Sequence, residues 1–239
     1  MRYMPAAFTV ALLAFFLMGC ERESDDSLQY EVLPEASEYG IGRAFMGREI
    51  ARVYDPAEAE LLDRPAREIQ EMPERVLQAL PLTDSSIVAD IGAGTGYFAI
   101  RIAERVPEGR VLAVDIQPEM LDVIRERAAA RDVENVELIL GEIDDPKLPE
   151  AAIDVALIVD AYHEFSHPRE MMDQIRKSLR PDGRLILVVF RGEDDTIPLP
   201  ATRRITEEQL KREMNALGLE WRETRDMLPQ QHYMVFGVE

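Results

Sequence analysis

Residues 87–96 read IVADIGAGTG, and this stretch decides the fold. Its first half, residues 87–91, is an apolar run interrupted by a single acid, Asp90, which is typical of a buried strand. Residues 97–106 follow with the apolar spacing of a helix. Between the two lie Gly92, Gly94 and Gly96. Strand, glycine turn and helix together predict the opening of a βαβ unit that presents bare backbone and free helical N–H groups to a ligand.

The glycine spacing and a second acid indicate which kind of ligand. A dinucleotide fingerprint requires G-x-G-x-x-G, and its third glycine would fall at position 97, which is Tyr97. Residues 110–115, RVLAVD, form a second apolar strand that ends in Asp115. A carboxylate at that strand end accepts hydrogen bonds from ribose hydroxyls. The pattern favours a nucleoside-bearing ligand, and a dinucleotide stays open as the alternative.

The glycine turn with Asp90 before it and Asp115 after it resembles motif I of the class I S-adenosylmethionine (SAM) methyltransferases. Further matching segments lie in residues 47–51, 64–68 and 162–165, and the resemblance extends from residue 45 to the end. This stretch looks like a bacterial lipoprotein subgroup of that family. The resemblance implies that SAM is the cofactor, that Asp90 lies near its methionine end, and that residues 81–239 form the SAM-binding methyltransferase domain.

The resemblance also implies a set of cofactor contacts. In that family a carboxylate after the third strand commonly contacts the adenine amino group, for which Glu142 and Asp144 are the candidates, with Ile143 offering its backbone or apolar face. The expected cofactor-binding residues are Asp90, Gly92, Ala93, Gly94, Thr95, Gly96, Asp115, Ile116, Glu142, Ile143 and Asp160.

Strand and helix patterns alternate through the rest of the chain. Further strands are predicted at residues 136–140, 152–159, 184–190, 219–227 and 233–238. Helices are predicted between them, and the last two strands are adjacent in sequence. This order predicts an α/β protein with a Rossmann-like, seven-stranded mixed sheet, one antiparallel strand and helices on both faces.

The loop after the fourth strand carries the candidates for chemistry. Ligands of open α/β sheets bind at the carboxyl ends of the strands, so residues 160–168, DAYHEFSHP, face the reacting group. His163 is the candidate general base, with Glu164 as its orienting partner or substitute. A structural role under the next helix is the alternative for His163. Tyr162 is expected to line the pocket.

Residues 35–80 are predicted to form an N-terminal helical lid, with helices at 37–53, 57–62 and 67–80. Arg48, Arg64 and Arg67 lie in it, and an arginine that faces the pocket would bind a carboxylate bidentately. His167 and His232 are expected to be structural. Residues 193–195 are three consecutive acids, which we interpret as solvent-facing, so no metal site is predicted.

Composition limits the function classes. Hydrophobic residues make up 46% of the 239 residues, which is typical of a globular protein, and the net charge is −19. A polyanion such as nucleic acid would be repelled, so a small-molecule acceptor is expected. The single cysteine, Cys20, excludes an internal disulfide.

Residues 1–20, MRYMPAAFTVALLAFFLMGC, have the shape of a secretory signal. The ending Leu17-Met18-Gly19-Cys20 resembles the bacterial lipoprotein box. It implies removal of residues 1–19, a lipid on Cys20 and a place in the cell envelope, facing away from the cytoplasm. Residues 20–34 are acidic and are predicted to be a flexible tether between lipid and domain.

Three functions remain open at this stage. The first is an enzyme that methylates a small molecule, and the second is a non-catalytic lipoprotein that binds SAM or a nucleoside. The third is an NAD(P)-dependent oxidoreductase, against which Tyr97 argues.

Overall fold

The computed structural model describes residues 28–238. Three N-terminal strands form a small sheet of their own, and the remaining strands form one large sheet. The strands are β1 (Tyr30–Val32), β2 (Gly40–Phe45), β3 (Arg48–Ala51), β4 (Ile87–Ile91), β5 (Arg110–Asp115), β6 (Val136–Leu140), β7 (Ile153–Val159), β8 (Leu179–Arg191), β9 (Arg204–Ile205), β10 (Glu220–Arg225) and β11 (Gln231–Gly237). The α-helices are α1 (Arg67–Gln70), α2 (Pro73–Ala79), α3 (Tyr97–Ala103), α4 (Pro118–Ala130), α5 (Pro168–Ser178) and α6 (Glu207–Ala216). Shorter 3-10 helices lie at Pro56–Asp63, Tyr162–Glu164 and Ala201–Arg203.

The large sheet has the order β6-β5-β4-β7-β8-β11-β10, with the two-residue β9 paired to β8. Strands β4 to β8 are parallel, and β11 lies antiparallel between β8 and β10. The predicted seven-stranded mixed sheet is therefore confirmed, and β9 is an addition. The strand order reverses between β4 and β7, which opens a crevice at their carboxyl ends.

The hydrophobic core lies on both faces of the large sheet. Because side chains alternate along a strand, Val88 of β4 packs with α2, α3 and α4 on one face. Its neighbour Ala89 packs with α5 and α6 on the other. Helices on both faces are thus confirmed. Helix α6 begins as predicted, since the N–H of Gln209 donates to Oγ1 of Thr206 at 3.1 Å.

The helix predicted at residues 37–53 is wrong, since this segment is the hairpin β2–β3. Met46 and Gly47 form its turn with φ of 51° and 83°, which a two-residue hairpin turn requires. Phe45 and Ile50 are fully buried against the large sheet. Their spacing mimicked a helical stripe, but the backbone is extended and its polar groups pair across the hairpin. Of the predicted lid, helical structure occurs only from residue 56 onward among the described residues.

The flexible tether predicted at residues 20–34 is corrected where the structure describes it. Tyr30–Val32 pairs antiparallel with β2, and the ring of Tyr30 lies 5.5 Å from that of Phe45. Leu28 also packs against the core. The signal segment and Cys20 lie outside the described residues. Between residues 28 and 238, no helix is both long and apolar enough to cross a bilayer.

Candidate active site

A cavity of about 490 Å³ lies at the carboxyl ends of β4, β5 and β7, in the crevice where the strand order reverses. Its walls come from the glycine turn, from the segment between β3 and α1, and from the connection between β8 and β9. Thirteen candidate site residues named from the sequence line it: Arg64, Arg67, Asp90, Gly92, Ala93, Gly94, Thr95, Asp115, Ile116, Ile143, Asp160, His163 and Glu164.

The glycine turn passes close to the loop after β7. Gly92, Gly94 and Gly96 have φ of 72°, 54° and 76°, in the left-handed region that favours glycine. A Cβ atom at Gly92 would lie 2.5 Å from Cβ of Ala161. At Gly96 it would lie 2.9 Å from Ile124 of α4, and Gly96 is not a cavity residue. We correct its predicted role, since Gly96 permits helix packing rather than ligand contact.

Asp115 is held at the end of β5 by two backbone donors. The N–H of Gly94 donates to Oδ2 at 2.8 Å, and the N–H of Gln117 donates to Oδ1 at 3.0 Å. The second contact orients Gln117, whose side-chain amide donates to the carbonyl of Tyr54 at 2.9 Å. Burial raises the pKa of Asp115. The carboxylate is thus fixed beside the glycine turn, where a ribose diol would find an acceptor.

Two further carboxyl groups have free oxygen atoms in the cavity wall. Asp90 is 2% exposed, and among the described residues its Oδ2 has no hydrogen-bond partner. Burial raises the pKa of Asp90 to about 7. Asp160 accepts from Nε2 of Gln231 at 2.6 Å, while its Oδ1 also lacks a partner there. Orphaned carboxyl oxygens fit a ligand that brings N–H donors or positive charge, as the methionine end of SAM does.

Arg67 reaches the cavity but is held by the protein. Its Nε donates to Glu71 at 2.9 Å, and its Nη1 donates to the carbonyl of Leu62 at 2.9 Å. Arg64 also pairs with Glu71. The guanidinium of Arg67 lies 4.5 Å from the centre of the Tyr97 ring. Arg67 therefore joins the segment before α1 to Tyr97, the first residue of α3.

His163 and Glu164 lie on the turn that directly follows β7. Nε2 of His163 is 3.5 Å from Oε1 of Glu164. Neither ring nitrogen of His163 makes a hydrogen bond to any described residue, although the residue is buried. Oε2 of Glu164 accepts from the N–H of Tyr54 at 3.0 Å. Both residues line the cavity, which is the position that a base acting on a bound molecule requires.

Arg48 and Tyr162, predicted to face substrate or form the lid, lie elsewhere. Nε and Nη2 of Arg48 donate to the two carboxyl oxygens of Glu213 at 2.9 and 3.0 Å. The hydroxyl of Tyr162 donates to Oε2 of Glu213 at 2.6 Å. Both residues are absent from the cavity wall. Their predicted role is corrected, because both side chains are hydrogen-bonded to Glu213 of α6. The sequence did not indicate that Glu213 is buried.

Glu142 also departs from its predicted role. It lies at the surface and pairs with Lys147 at 3.0 Å, so only Ile143 of that loop reaches the cavity. Sequence reasoning missed several cavity residues: Tyr54, Leu62, Gln117, Ile197, Leu199 and Arg203. The place of Gln117 in the cavity could have been inferred, since it follows Asp115 by two positions. Residues 197–203 carry no periodic pattern that could have indicated that they line the cavity.

The remaining histidines and acids make protein contacts. Nε2 of His167 lies 3.1 Å from Nη1 of Arg43. Nε2 of His232 lies 2.9 Å from Oε2 of Glu193. Asp194 accepts from Thr196, and Asp195 pairs with Arg204. Within residues 28–238, no group of three histidine, cysteine or acidic side chains is arranged to hold a metal ion.

The central part of the chain is similar to known proteins. A family model described as "Methyltransferase domain" matches residues 88–183. An uncharacterized methyltransferase-like protein of Schizosaccharomyces pombe is 36% identical over 117 residues, which are 49% of this chain and 43% of that protein. The arsenite methyltransferase of Halobacterium salinarum is 34% identical over 114 residues, which are 47% of this chain and 28% of that protein. The chain thus spans less than half the length of these curated relatives.

A solved structure extends the similarity beyond the matched segment. The SAM-dependent methyltransferase from Aquifex aeolicus superposes with a TM-score of 0.72 at 23% identity, covering 77% of this chain and 98% of that chain. This likeness shows a shared fold. Residues 88–183 are thus similar to a methyltransferase domain, and the chain shares the fold of a SAM-dependent methyltransferase.

Proposed function

We propose that this protein transfers a methyl group from SAM to a small-molecule acceptor bound in the same cavity. One observation carries the proposal. The expected cofactor residues, from the glycine turn to Asp115, and the candidate base His163 line a single cavity of about 490 Å³. Cavities of this order accommodate small ligands.

The proposed cofactor end is built from β4, β5 and the loop after β7. The carboxylate of Asp115 accepts hydrogen bonds from the ribose hydroxyls, and the bare backbone of Gly92 and Gly94 allows the cofactor to approach closely. The free oxygens of Asp90 and Asp160 accept hydrogen bonds from the amino group of the ligand. These residues bind and orient the cofactor without taking part in bond formation.

The proposed reacting end is the turn that carries His163 and Glu164. When bound, SAM supplies an electrophilic methyl group on a positively charged sulfur. His163 takes the proton that the acceptor's nucleophilic atom loses as that atom accepts the methyl group, and Glu164 stabilises the protonated ring. Alignment of acceptor and cofactor in one enclosed site lowers the entropic part of the barrier.

The relatives' substrates do not carry over directly. Arsenite is soft and prefers thiolate ligands, and the chain's only cysteine, Cys20, lies outside residues 88–183. The net charge of −19 also disfavours a nucleic acid acceptor. An uncharged or locally recognised small molecule fits both observations.

Asp115→Ala is expected to weaken SAM binding by about 1–3 kcal/mol, because the ribose hydroxyls lose their acceptor. Calorimetric titration of SAM into the wild type and the variant measures the change. Asp122→Ala is the matched control, since it removes one carboxylate of α4 that is 67% exposed. Equal affinity of wild type and Asp115→Ala would contradict the assignment.

A transfer assay distinguishes the enzyme from the non-catalytic SAM-binding alternative. Protein is incubated with SAM labelled in its methyl group and with fractions of a small-molecule extract. Protein-dependent label in an extracted compound, together with S-adenosylhomocysteine, supports methyl transfer. SAM binding without labelled product in any fraction would favour the binding protein.

We also propose that Cys20 carries a lipid that anchors the protein in the bacterial cell envelope, as the residues Leu17-Met18-Gly19-Cys20 suggest. A single cysteine in that position makes the test direct. In cells fed a labelled fatty acid, the wild type is expected to be labelled and to sediment with membranes. Cys20→Ser is expected to lose both properties, and label retained on the serine variant would refute the assignment.

A further inference from the structure

One arginine of the cavity differs from the others in its partners. Of the residues that the structure describes, three arginines line the cavity: Arg64, Arg67 and Arg203. The first two pair with Glu71. Arg203 has no carboxylate within ion-pair distance among residues 28–238, and its Nε is buried without a hydrogen-bond partner there. Its guanidinium contacts the ring of Tyr54, 5.3 Å from the ring centre.

Arg203 lies at the reacting end of the cavity. It ends the 3-10 turn Ala201–Arg203 between β8 and β9, and this turn packs against the turn Tyr162–Glu164. Tyr54 connects the two, because its N–H donates to Glu164 at 3.0 Å. Arg67, by contrast, stacks on Tyr97 beside the glycine turn. The position of Arg203 therefore points to the acceptor rather than to the cofactor.

Apolar side chains form part of the wall of the same cavity. The connection that carries Arg203 contributes three apolar side chains to the cavity, and the end of β8 and the loop after β7 contribute two aromatic rings. These residues are Ile197, Pro198, Leu199, Phe190 and Phe165. A cation without a counter-ion in a partly buried, apolar surrounding is costly unless a ligand brings the opposite charge.

We propose that Arg203 selects the methyl acceptor, and that this acceptor is a ring-sized apolar molecule with one anionic group such as a carboxylate. The inference rests on the proposed methyl transfer. The anionic group pairs with the guanidinium of Arg203, and the apolar body fills the space between Phe165 and Leu199. The nucleophilic atom then lies toward the neighbouring turn that carries His163.

Two probes that differ only in the anionic group test the inference. The purified full chain is saturated with S-adenosylhomocysteine, and binding of 6-hydroxy-2-naphthoate and of 2-naphthol is measured by ligand fluorescence. The wild type is expected to bind the naphthoate at least about tenfold more tightly, as a charge-assisted hydrogen bond allows. Arg203→Gln is expected to abolish the preference, and Arg203→Lys to keep part of it.

Arg110→Gln is the matched control. It removes the same charge from an exposed position at the amino end of β5, at the opposite edge of the sheet, and should leave the preference unchanged. Raising the salt concentration should weaken naphthoate binding alone. Thermal unfolding of each variant checks that it is folded.

Several outcomes would overturn the inference. These are equal binding of the two probes to the wild type, no binding of either, or a preference that survives in Arg203→Gln. Loss of S-adenosylhomocysteine binding in Arg203→Gln would instead assign the arginine to the cofactor. Failure of the wild type to bind S-adenosylhomocysteine would contradict the proposed function itself, so the two failures are distinguishable.

Discussion

Glu213→Ala is expected to lower the free energy of unfolding by about 3–5 kcal/mol, since it leaves a buried positive charge without its partner. Glu213 is fully buried. It accepts both Arg48 hydrogen bonds, at 2.9 and 3.0 Å, and that of Tyr162 at 2.6 Å. Nε2 of Gln209 donates to it as well, at 2.6 Å. The variant would leave the Arg48 and Tyr162 donors without this acceptor, while Nε2 of Gln209 keeps the carbonyl of Met46 at 3.1 Å. Denaturant unfolding of the wild type and the variant measures the loss.

Two further variants make the Glu213 prediction specific. Glu208→Ala removes an exposed carboxylate from the same helix and should change stability by no more than about 0.5 kcal/mol. The double variant Arg48→Met with Glu213→Leu replaces the ion pair by apolar side chains and should be less destabilised than Glu213→Ala alone. A loss below about 1 kcal/mol in Glu213→Ala would contradict the account, because a buried unpaired charge costs more.

The cluster of Arg48, Tyr162 and Glu213 matters for function because one of its members lies in the turn that carries His163. Arg48 belongs to β3, Tyr162 opens the turn that carries His163, and Glu213 belongs to α6. Their hydrogen bonds join three separate segments, one of which is the turn that carries His163. The carboxylate of Glu213 is therefore a positioning group for the His163 turn.

Gly92→Ala is expected to destabilise the protein by about 2–4 kcal/mol, the sum of a left-handed backbone penalty and an overpacked contact. The residue has φ of 72°, and the added Cβ would lie 2.5 Å from Cβ of Ala161. Adding Ala161→Gly removes the contact but not the backbone strain. The double variant should therefore recover part of the loss, and a double-mutant cycle isolates the contact.

Gly47→Ala is the control for the backbone part alone. Gly47 has φ of 83°, and a Cβ atom there meets nothing within 4 Å. Its loss should be about 1–2 kcal/mol, smaller than that of Gly92→Ala. If Ala161→Gly gave no recovery, the close approach between the glycine turn and the loop after β7 would be refuted.

The sheet was predictable because its signals are local. Strands β4 to β7 are short apolar runs that end in turns or acids, so their positions follow from hydrophobic pattern. The contact between the glycine turn and Asp115 also follows from the sequence, since the carboxyl ends of adjacent parallel strands lie at one edge of the sheet.

The parts that could not be predicted depend on contacts distant in sequence. The hairpin at Met46–Gly47 has apolar residues at helical spacing, and only its packing against the large sheet selects the extended form. The sequence around Arg48 and Tyr162 does not indicate that they bind Glu213, which lies 165 and 51 positions away from them. Arg203 lies in an irregular connection whose path is set by β8 and β9, so no local pattern placed it in the cavity.

Calorimetric titration of SAM into the purified protein, with NAD as the control ligand, tests the central claim most directly. The account predicts saturable one-to-one binding of SAM in the micromolar range and no binding of NAD. The glycine turn and the carboxylate of Asp115 form a nucleoside site beside the orphaned oxygens of Asp90 and Asp160, which suit an amino group. Tyr97 stands where a dinucleotide fingerprint needs its third glycine, which argues against NAD. Binding of NAD in place of SAM, or of neither, would contradict it.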